Sequence, residues 1–474
     1  MRIGGVFLGV LTLCWNVPVS GQSFDAYFTG TTLRIDYHHT GTKGEERISY
    51  DAAYEEGPWA GTRHQLLDPL NRGEFMVRVY DVASAQMIFS LGYSTMFNEW
   101  QTTEEAMQGI SRTFHETVRV PMPKKAVQIT ISRRDRTMLF HELFSTVVDP
   151  ASPVAINRER KLSPFKTAKI VGRREPAEAV DLVIVGDGYA KADMEKFRTD
   201  AKHFSDVLFS TSPFKESKDR FNVWIVEVES AESGIDIPDK NIWKSTVLGT
   251  TYNTFGSARY ILTEHNKALR DAAGLVPYDA IAILCNDNRY GGGGIYNQYT
   301  TCYTKVDRPG QEWQMDYVFV HELGHSFAGL GDEYYSSQVS YVDFYEKGVE
   351  PWEPNVTALN DPKNVKWKKF VSPDTPIPTP WQKGAFDSLE ALRGKLDRLA
   401  ADYYEKREPL YQAGQDILKT DPMAGRVGAF EGAGYASQGL YRPAIDCRMF
   451  SLSLVDFDPV CTDAILQMIT YYTQ

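Results

Sequence analysis

Between His321 and Tyr335 the chain reads HELGHSFAGLGDEYY, and its first five residues are of types that together do hydrolytic chemistry. His321 and His325 stand four residues apart, so on a helix both imidazoles leave one face a turn apart, close enough to share one tetrahedral ion. Glu322 sits about 100° further round the helix, beside such an ion without binding it. A hydrolytic zinc site needs two neutral nitrogen ligands, a third ligand, an open position for water, and a carboxylate to take the water's proton. Zn2+ is therefore the expected cofactor, with His321 and His325 as ligands and Glu322 as the catalytic base.

The third ligand follows by elimination. Beyond residue 150 the histidines are His203, His265, His321 and His325. The first two precede the motif inside predicted helices with polar flanks, where a solvent-facing or hydrogen-bonded ring is the ordinary state. A ligand soon after His325 must then be a carboxylate. Gly329 and Gly331 stop the helix and let the chain turn back, and Asp332 and Glu333 follow at once. A short carboxylate directly after a glycine turn reaches an ion at about 2 Å without moving backbone. That favours Asp332 as the ligand, with Glu333 orienting a histidine beside it. Glu333 itself and the more distant Glu346 stay open as alternatives.

The chain that carries this motif has 474 residues, a net charge of -11 and a pI near 5.4, long enough for about two to four domains. Nucleic acids and anionic membranes require clustered positive charge, so neither is an expected partner. After the N-terminus no run reaches the roughly eighteen uncharged apolar residues that span a bilayer. Residues 1–21 read as a secretory signal: Arg2, an apolar stretch from Ile3 to Trp15, and Val19-Ser20-Gly21 after Pro18. Leu13 before Cys14 is not the small residue a lipid anchor wants. Export is expected, whether secreted, periplasmic or on the cell surface, and it permits disulfides. Cys285 and Cys302 form one local pair and Cys447 and Cys461 another; disulfides and free buried thiols both fit. The absence of C-x-x-C disfavours a cysteine zinc cluster.

The elements that must position the motif come in two styles. Over residues 22–150, short alternating runs such as Thr32 to Tyr37, Glu74 to Tyr80 and Ala126 to Ile131 are divided by polar or Gly/Pro turns, which predicts an all-β sandwich. His38, His39, His64, His115 and His141 are scattered through it without ligand spacing. Residues 151–175, with Pro153, Pro164 and Arg173-Arg174, read as a linker. From 176 to 474 strands and helices alternate: strands over Val180 to Val185, Phe221 to Val228 and Ala280 to Cys285, helices over Lys191 to Phe209 and Ser257 to Ala273. That order indicates a largely parallel sheet. The fold class is thus α+β / α/β, an all-β sandwich followed by an α/β domain.

Gly186-Asp187-Gly188 lacks the spacing of a phosphate loop and reads as a turn. Tyr290-Gly291-Gly292-Gly293-Gly294-Ile295-Tyr296 has two readings, an edge strand beside the metal that pairs with an extended peptide or a hairpin tip. Residues 336–385 are aperiodic and rich in Pro and Trp, a long ordered excursion near a functional face. Residues 386–413 read as one charged, solvated helix, and a final helix is expected from Asp463 to Tyr472.

With these residues in view, the chain resembles the M64 peptidases, the IgA-peptidase-like zinc metallopeptidases of bacteria. The resemblance rests on His321 to Tyr334, on Glu431-Gly432-Ala433-Gly434-Tyr435, and on Tyr441-Arg442-Pro443 leading to Cys447-Arg448-Met449. The N-terminal region is similar to the extra β domain of Bacteroides-type members. The resemblance implies a metzincin-like domain with a methionine turn below the metal at Met449, Met423 being the competing residue, and Tyr441 or Arg442 assisting. It departs at one place. Metzincins usually read H-E-x-x-H-x-x-G-x-x-H/D, whereas here Gly329 lies four residues beyond His325 and Asp332 three beyond that.

The expected function is a secreted zinc endopeptidase hydrolysing extracellular protein, with immunoglobulin or host glycoprotein among the candidate substrates. The alternative is a non-catalytic surface protein binding glycan or protein on a peptidase scaffold. An intact Glu322 argues for the enzyme, because a purely structural metal has no use for a free carboxylate there.

Overall fold

The computed structural model describes residues 23–159, 163–306, 310–336, 341, 344–396 and 402–474; the expected signal at 1–21 lies outside them. After a single helical turn, α1 (Phe24–Tyr27), come β1 (Phe28–Gly41), β2 (Glu46–Pro58), β3 (Phe75–Asp81), β4 (Met87–Tyr93), short helices α2 (Met96–Trp100) and α3 (Glu104–Met107), then β5 (Arg112–Pro123), β6 (Val127–Arg134) and β7 (Phe140–Val148). They form two antiparallel sheets, ordered β2-β1-β5 and β4-β3-β6-β7. Leu33, Ile35, Val77, Val79, Ile129 and Ile131 meet between them, every second residue of each strand, as a half-buried strand requires. This is the sandwich read from the alternation.

The middle strand β1 is buried on its other face as well. Arg34 pairs with Asp36 and reaches Asp271 at 2.8 Å, and Asn266 donates to Thr117 of β5 at 2.8 Å. Those partners belong to the second half of the chain. The sandwich is therefore packed against it through a polar, hydrogen-bonded face. Met96, Phe97, Trp100 and Phe114 join the larger core beyond that face.

The second half is built on a six-stranded sheet ordered β14-β15-β13-β9-β10-β8. Its strands are β8 (Lys166–Val171), β9 (Val180–Asp187), β10 (Phe221–Glu227), β13 (Ala280–Cys285), β14 (Gly292–Ile295) and β15 (Tyr299–Tyr303), with a small ribbon of β11 (Thr250–Thr251) and β12 (Leu262–Thr263) beside them. The four inner strands are parallel and both edges antiparallel. All eight residues of β9 are buried, as expected of a strand covered on both faces. Helices α4 (Met194–Leu208), α5 (Asn266–Ala273), α6 (Trp313–Ala328), α7 (Lys383–Gly394), α8 (Tyr403–Thr420) and α9 (Pro459–Thr473) surround it, and a hairpin of β16 (Phe430–Ala433) and β17 (Ala436–Arg442) packs near the end.

Several expectations are corrected. Residues 166–171, read as linker, form the edge strand β8. The helix expected from Ser257 starts only at Asn266, because Ile261 pairs with Gly292 and Leu262–Thr263 with Thr250–Thr251; His265 precedes this helix. The single helix expected over 386–413 is two helices, α7 ending at Gly394 and α8 beginning at Tyr403. Helix α9 begins four residues early, at Pro459, because Asp458 caps it by accepting from the N–H groups of Val460 and Cys461. The Gly186–Gly188 turn is structural: buried Asp187 accepts from the backbone of Leu248 and Thr250.

Candidate metal centre and cleft

Helix α6 carries the motif. It lies against β14 and β15, and the contact is close because β14 is glycine. A Cβ on Gly294 would stand 2.3 Å from the Glu322 carbonyl oxygen, and one on Gly292 would stand 2.6 Å from Val318. The outer edge of β14 is taken at Gly292 by its own chain, through Arg259 and Ile261. The run is thus neither a loose hairpin tip nor a wholly open edge; its first use is to let the motif helix approach the sheet.

Helix α6 ends at Gly329, whose φ of 64° puts it in the left-handed region that glycine tolerates. The turn beyond it is held by Asn355, which accepts from Gly331 N–H at 2.8 Å and donates to Gly331 O at 2.9 Å. This turn delivers Asp332 to the two histidines. His321 Nε2 and His325 Nε2 lie 3.2 Å apart, and Asp332 Oδ1 stands 3.0 and 3.3 Å from them. Within the turn the Leu330 carbonyl folds back to accept from His325 Nδ1 at 2.6 Å.

The other ring nitrogens establish what the trio can bind. His321 Nδ1 is 3.1 Å from the Arg448 carbonyl. Carbonyls only accept, so in both neutral rings the proton sits on Nδ1 and the Nε2 lone pairs are bare. Asp332 Oδ1 is buried and makes no hydrogen bond of its own, while Oδ2 accepts from Tyr435 at 2.6 Å. With both rings neutral, two lone pairs and a carboxylate oxygen converge, a donor set that fits a divalent cation. The electrostatics agree. Burial opposes charge on His325, yet Asp332 beside it raises its pKa to about 10; Asp332, despite burial, is held well below the usual carboxylate range by the imidazoles. Positive charge is in demand where the three donors meet.

Glu322 is not among the converging donors. It lines a cleft of about 660 Å³ that opens over the histidines, and burial pushes its pKa up while the two imidazoles oppose the shift. Glu333 faces away, its Oε1 accepting from Asn355 at 2.9 Å beside Cys461. Glu346 is at the surface, paired with Arg136. Of the three carboxylates considered, only Asp332 reaches the histidines. Met449 is fully buried, and its sulfur would stand 3.1 Å from a Cβ on Gly324, directly beneath the motif helix. The carbonyl preceding it orients His321. Met423 is elsewhere, at the margin of the core. Tyr441 and Arg442 do not line the cleft; Arg442 is buried between Phe450 and Trp381 and donates to the Gly432 and Ile445 carbonyls.

Residues with no recognisable spacing complete the cleft. Arg259 lines it and contacts the Tyr334 hydroxyl at 3.4 Å; the charges of Asp332 and Glu322 hold its guanidinium further protonated, after the larger effect of Tyr334. Glu99 comes from α2 of the sandwich and accepts from Tyr260 and Tyr341. Ser94, Arg133 and Arg134 lie on the same wall. Among the other histidines, His203 pairs with Asp316 at 2.6 Å and His39 stacks on Phe97 between Glu46 and Glu116. His115 has Asp36 and Asp51 within reach, but Asp36 is already taken by Arg34 and Thr117. Among the described residues no helix is long and apolar enough to cross a membrane.

No curated protein matches the chain significantly. Two family models do: one described as IgA Peptidase M64 over residues 169–469, spanning the sheet, the motif helix and Met449, and one described as Peptidase M64 N-terminus over residues 23–145. Together they take in both walls of the cleft, and the chain belongs to the M64 peptidase family.

Proposed function

We propose that this peptidase is an exported, zinc-dependent endopeptidase, with His321, His325 and Asp332 as the metal ligands and Glu322 as the general base. The observation that carries the reading is the convergence of the two Nε2 atoms and Asp332 Oδ1 while both Nδ1 atoms face backbone carbonyls. Zinc in such a site supplies Lewis acidity toward a water and a scissile carbonyl. The protein's own side chains handle the protons. Glu322, whose pKa burial raises, accepts the proton of the attacking water and returns it to the leaving amine. Arg259, fixed beside Tyr334 in the cleft, offers positive charge to the oxygen on which negative charge develops. The long cleft suits an extended stretch of protein substrate. Immunoglobulin is the first substrate to assay, beside host glycoproteins.

Glu322→Gln tests the reading. The variant should keep its metal, measured by elemental mass spectrometry, while kcat/KM on a peptide library falls by about 10²–10⁴. Undiminished cleavage refutes the mechanism. A wild-type protein that binds host protein or glycan without cleaving it, with or without chelator, makes it a binding protein on a peptidase scaffold.

A further inference from the structure

We propose that this chain binds a second metal ion, a zinc held by Cys447, Cys461, Glu333 and Asp458 in the core behind the histidine site. The proposal stands independently of the function assigned to the histidines. Absence of C-x-x-C argued against a cysteine site in the sequence, but the fold assembles one from separated positions.

All four side chains are buried, Glu333 and both cysteines completely and Asp458 at 6% exposure. The cysteines are free thiols with sulfurs 3.8 Å apart. One oxygen of each carboxylate joins them in a group whose members all lie within 4.8 Å of one another, Glu333 Oε1 being 3.3 Å from the Cys461 sulfur. Tetrahedral zinc, with Zn–S of about 2.3 Å and Zn–O of about 2.0 Å, places two sulfurs about 3.8 Å apart and a sulfur and an oxygen about 3.5 Å apart. The two sulfurs and the Cys461–Glu333 pair are therefore already spaced for the ion, and the remaining donors lie within 4.8 Å of them.

Two further observations point into the cluster. Glu333 Oε2 and Asp458 Oδ2 are buried without a hydrogen-bond partner, so the protein's own donors leave both oxygens open to a ligand. The Cys447 sulfur receives the backbone N–H groups of Met449 and Asp458, at 3.5 and 3.4 Å. Two donors aimed at one sulfur suit a thiolate, which accepts hydrogen bonds far better than a neutral thiol. Two thiolates with two carboxylates select zinc over the harder calcium and magnesium. A disulfide between the same cysteines would leave both carboxylate oxygens unpartnered.

The ion would join three segments: Glu333 next to Asp332, Cys447 two residues before Met449, and the first turn of α9. It would thus hold the carboxylate turn and the floor of the motif helix to one point.

The test is metal stoichiometry of the full chain loaded with zinc chloride and desalted. Two zinc ions per chain are expected, falling to one in His321→Ala/His325→Ala and to one in Cys461→Ser. Should Cys461→Ser fail to fold, cobalt replaces zinc in the histidine double variant, where a near-ultraviolet thiolate-to-cobalt charge-transfer band is expected. One ion per chain that disappears in the histidine variant overturns the proposal, as does a linked Cys447–Cys461 peptide or absence of that band. One ion that survives the histidine variant and is lost in Cys461→Ser supports it, and instead removes the histidine metal.

Discussion

Replacing Gly294 by alanine tests how the motif is held in place. The added Cβ would lie 2.3 Å from the Glu322 carbonyl oxygen and 3.0 Å from His325 Cβ. A carbon and a carbonyl oxygen settle at about 3.3 Å or more, so strand and helix must separate by roughly 1 Å. Neither yields easily. Gly294 is paired with Thr300 in the sheet, and Thr300 Oγ1 donates to that same Glu322 carbonyl at 3.2 Å. Overpacking of this kind costs about 1–3 kcal/mol, which for a domain of this size lowers Tm by about 2–5 °C. The larger effect is on chemistry, since a shift of about 1 Å in a catalytic group costs about 10²-fold in rate. Calorimetry and peptide-cleavage kinetics on Gly294→Ala should therefore show a modest loss of stability beside a large loss of kcat. Gly384→Ala is the control: it lies in α7, where an added Cβ meets nothing within 4 Å, and it should gain about 0.4–1 kcal/mol. Wild-type Tm and wild-type activity in Gly294→Ala would refute the close-approach argument.

Glu353 offers a pH test. Its carboxyl, 4% exposed, is pushed from 4.5 to about 7 by burial, against the Tyr345 hydroxyl that donates to it at 3.0 Å. The fold therefore prefers it protonated, so its contribution is complete below about pH 4.5 and is lost as pH rises through 7, to the extent of about 3 kcal/mol. Urea titrations should find Glu353→Gln more stable than wild type at pH 8 and no more stable at pH 4.5; an equal difference at both refutes the assignment. Arg72, reaching from the sandwich, donates to the carbonyls of Ala328 and Ala464 at 3.1 and 3.0 Å and to Gln467 at 2.7 Å. Arg72→Ala removes the donor to these buried acceptors and should cost about 1–3 kcal/mol, read from the denaturant midpoint; a change under about 0.5 kcal/mol would mean that this contact does not tie the two halves.

The legible parts of the site were those whose chemistry is local. The i, i+4 histidines, the adjacent glutamate and the glycine turn lie within twelve residues, and the structure brings His321, His325 and Asp332 together. The sandwich strands and the parallel sheet were legible because alternation and buried runs are one-dimensional signals. What escaped depends on distant partners. The stretch 257–265 has helix-like apolar content, but backbone pairing with Gly292 and Thr250 prevails over propensity. Lys166–Val171 is a short, largely exposed edge strand that resembles linker because one side of it faces water. Glu99, Arg259, Asn355 and the cysteine–carboxylate group carry no spacing at all; only the fold makes them neighbours.

The cleft has one wall from the first 138 residues and the other from residue 257 onward. Contacts so far apart along a chain form late in folding, because the intervening loop must close before they are rewarded. A groove in which a polypeptide, this chain's own included, can be held is therefore complete only once both halves have folded and met. For a peptidase, the shared wall ties a complete cleft to the completed fold.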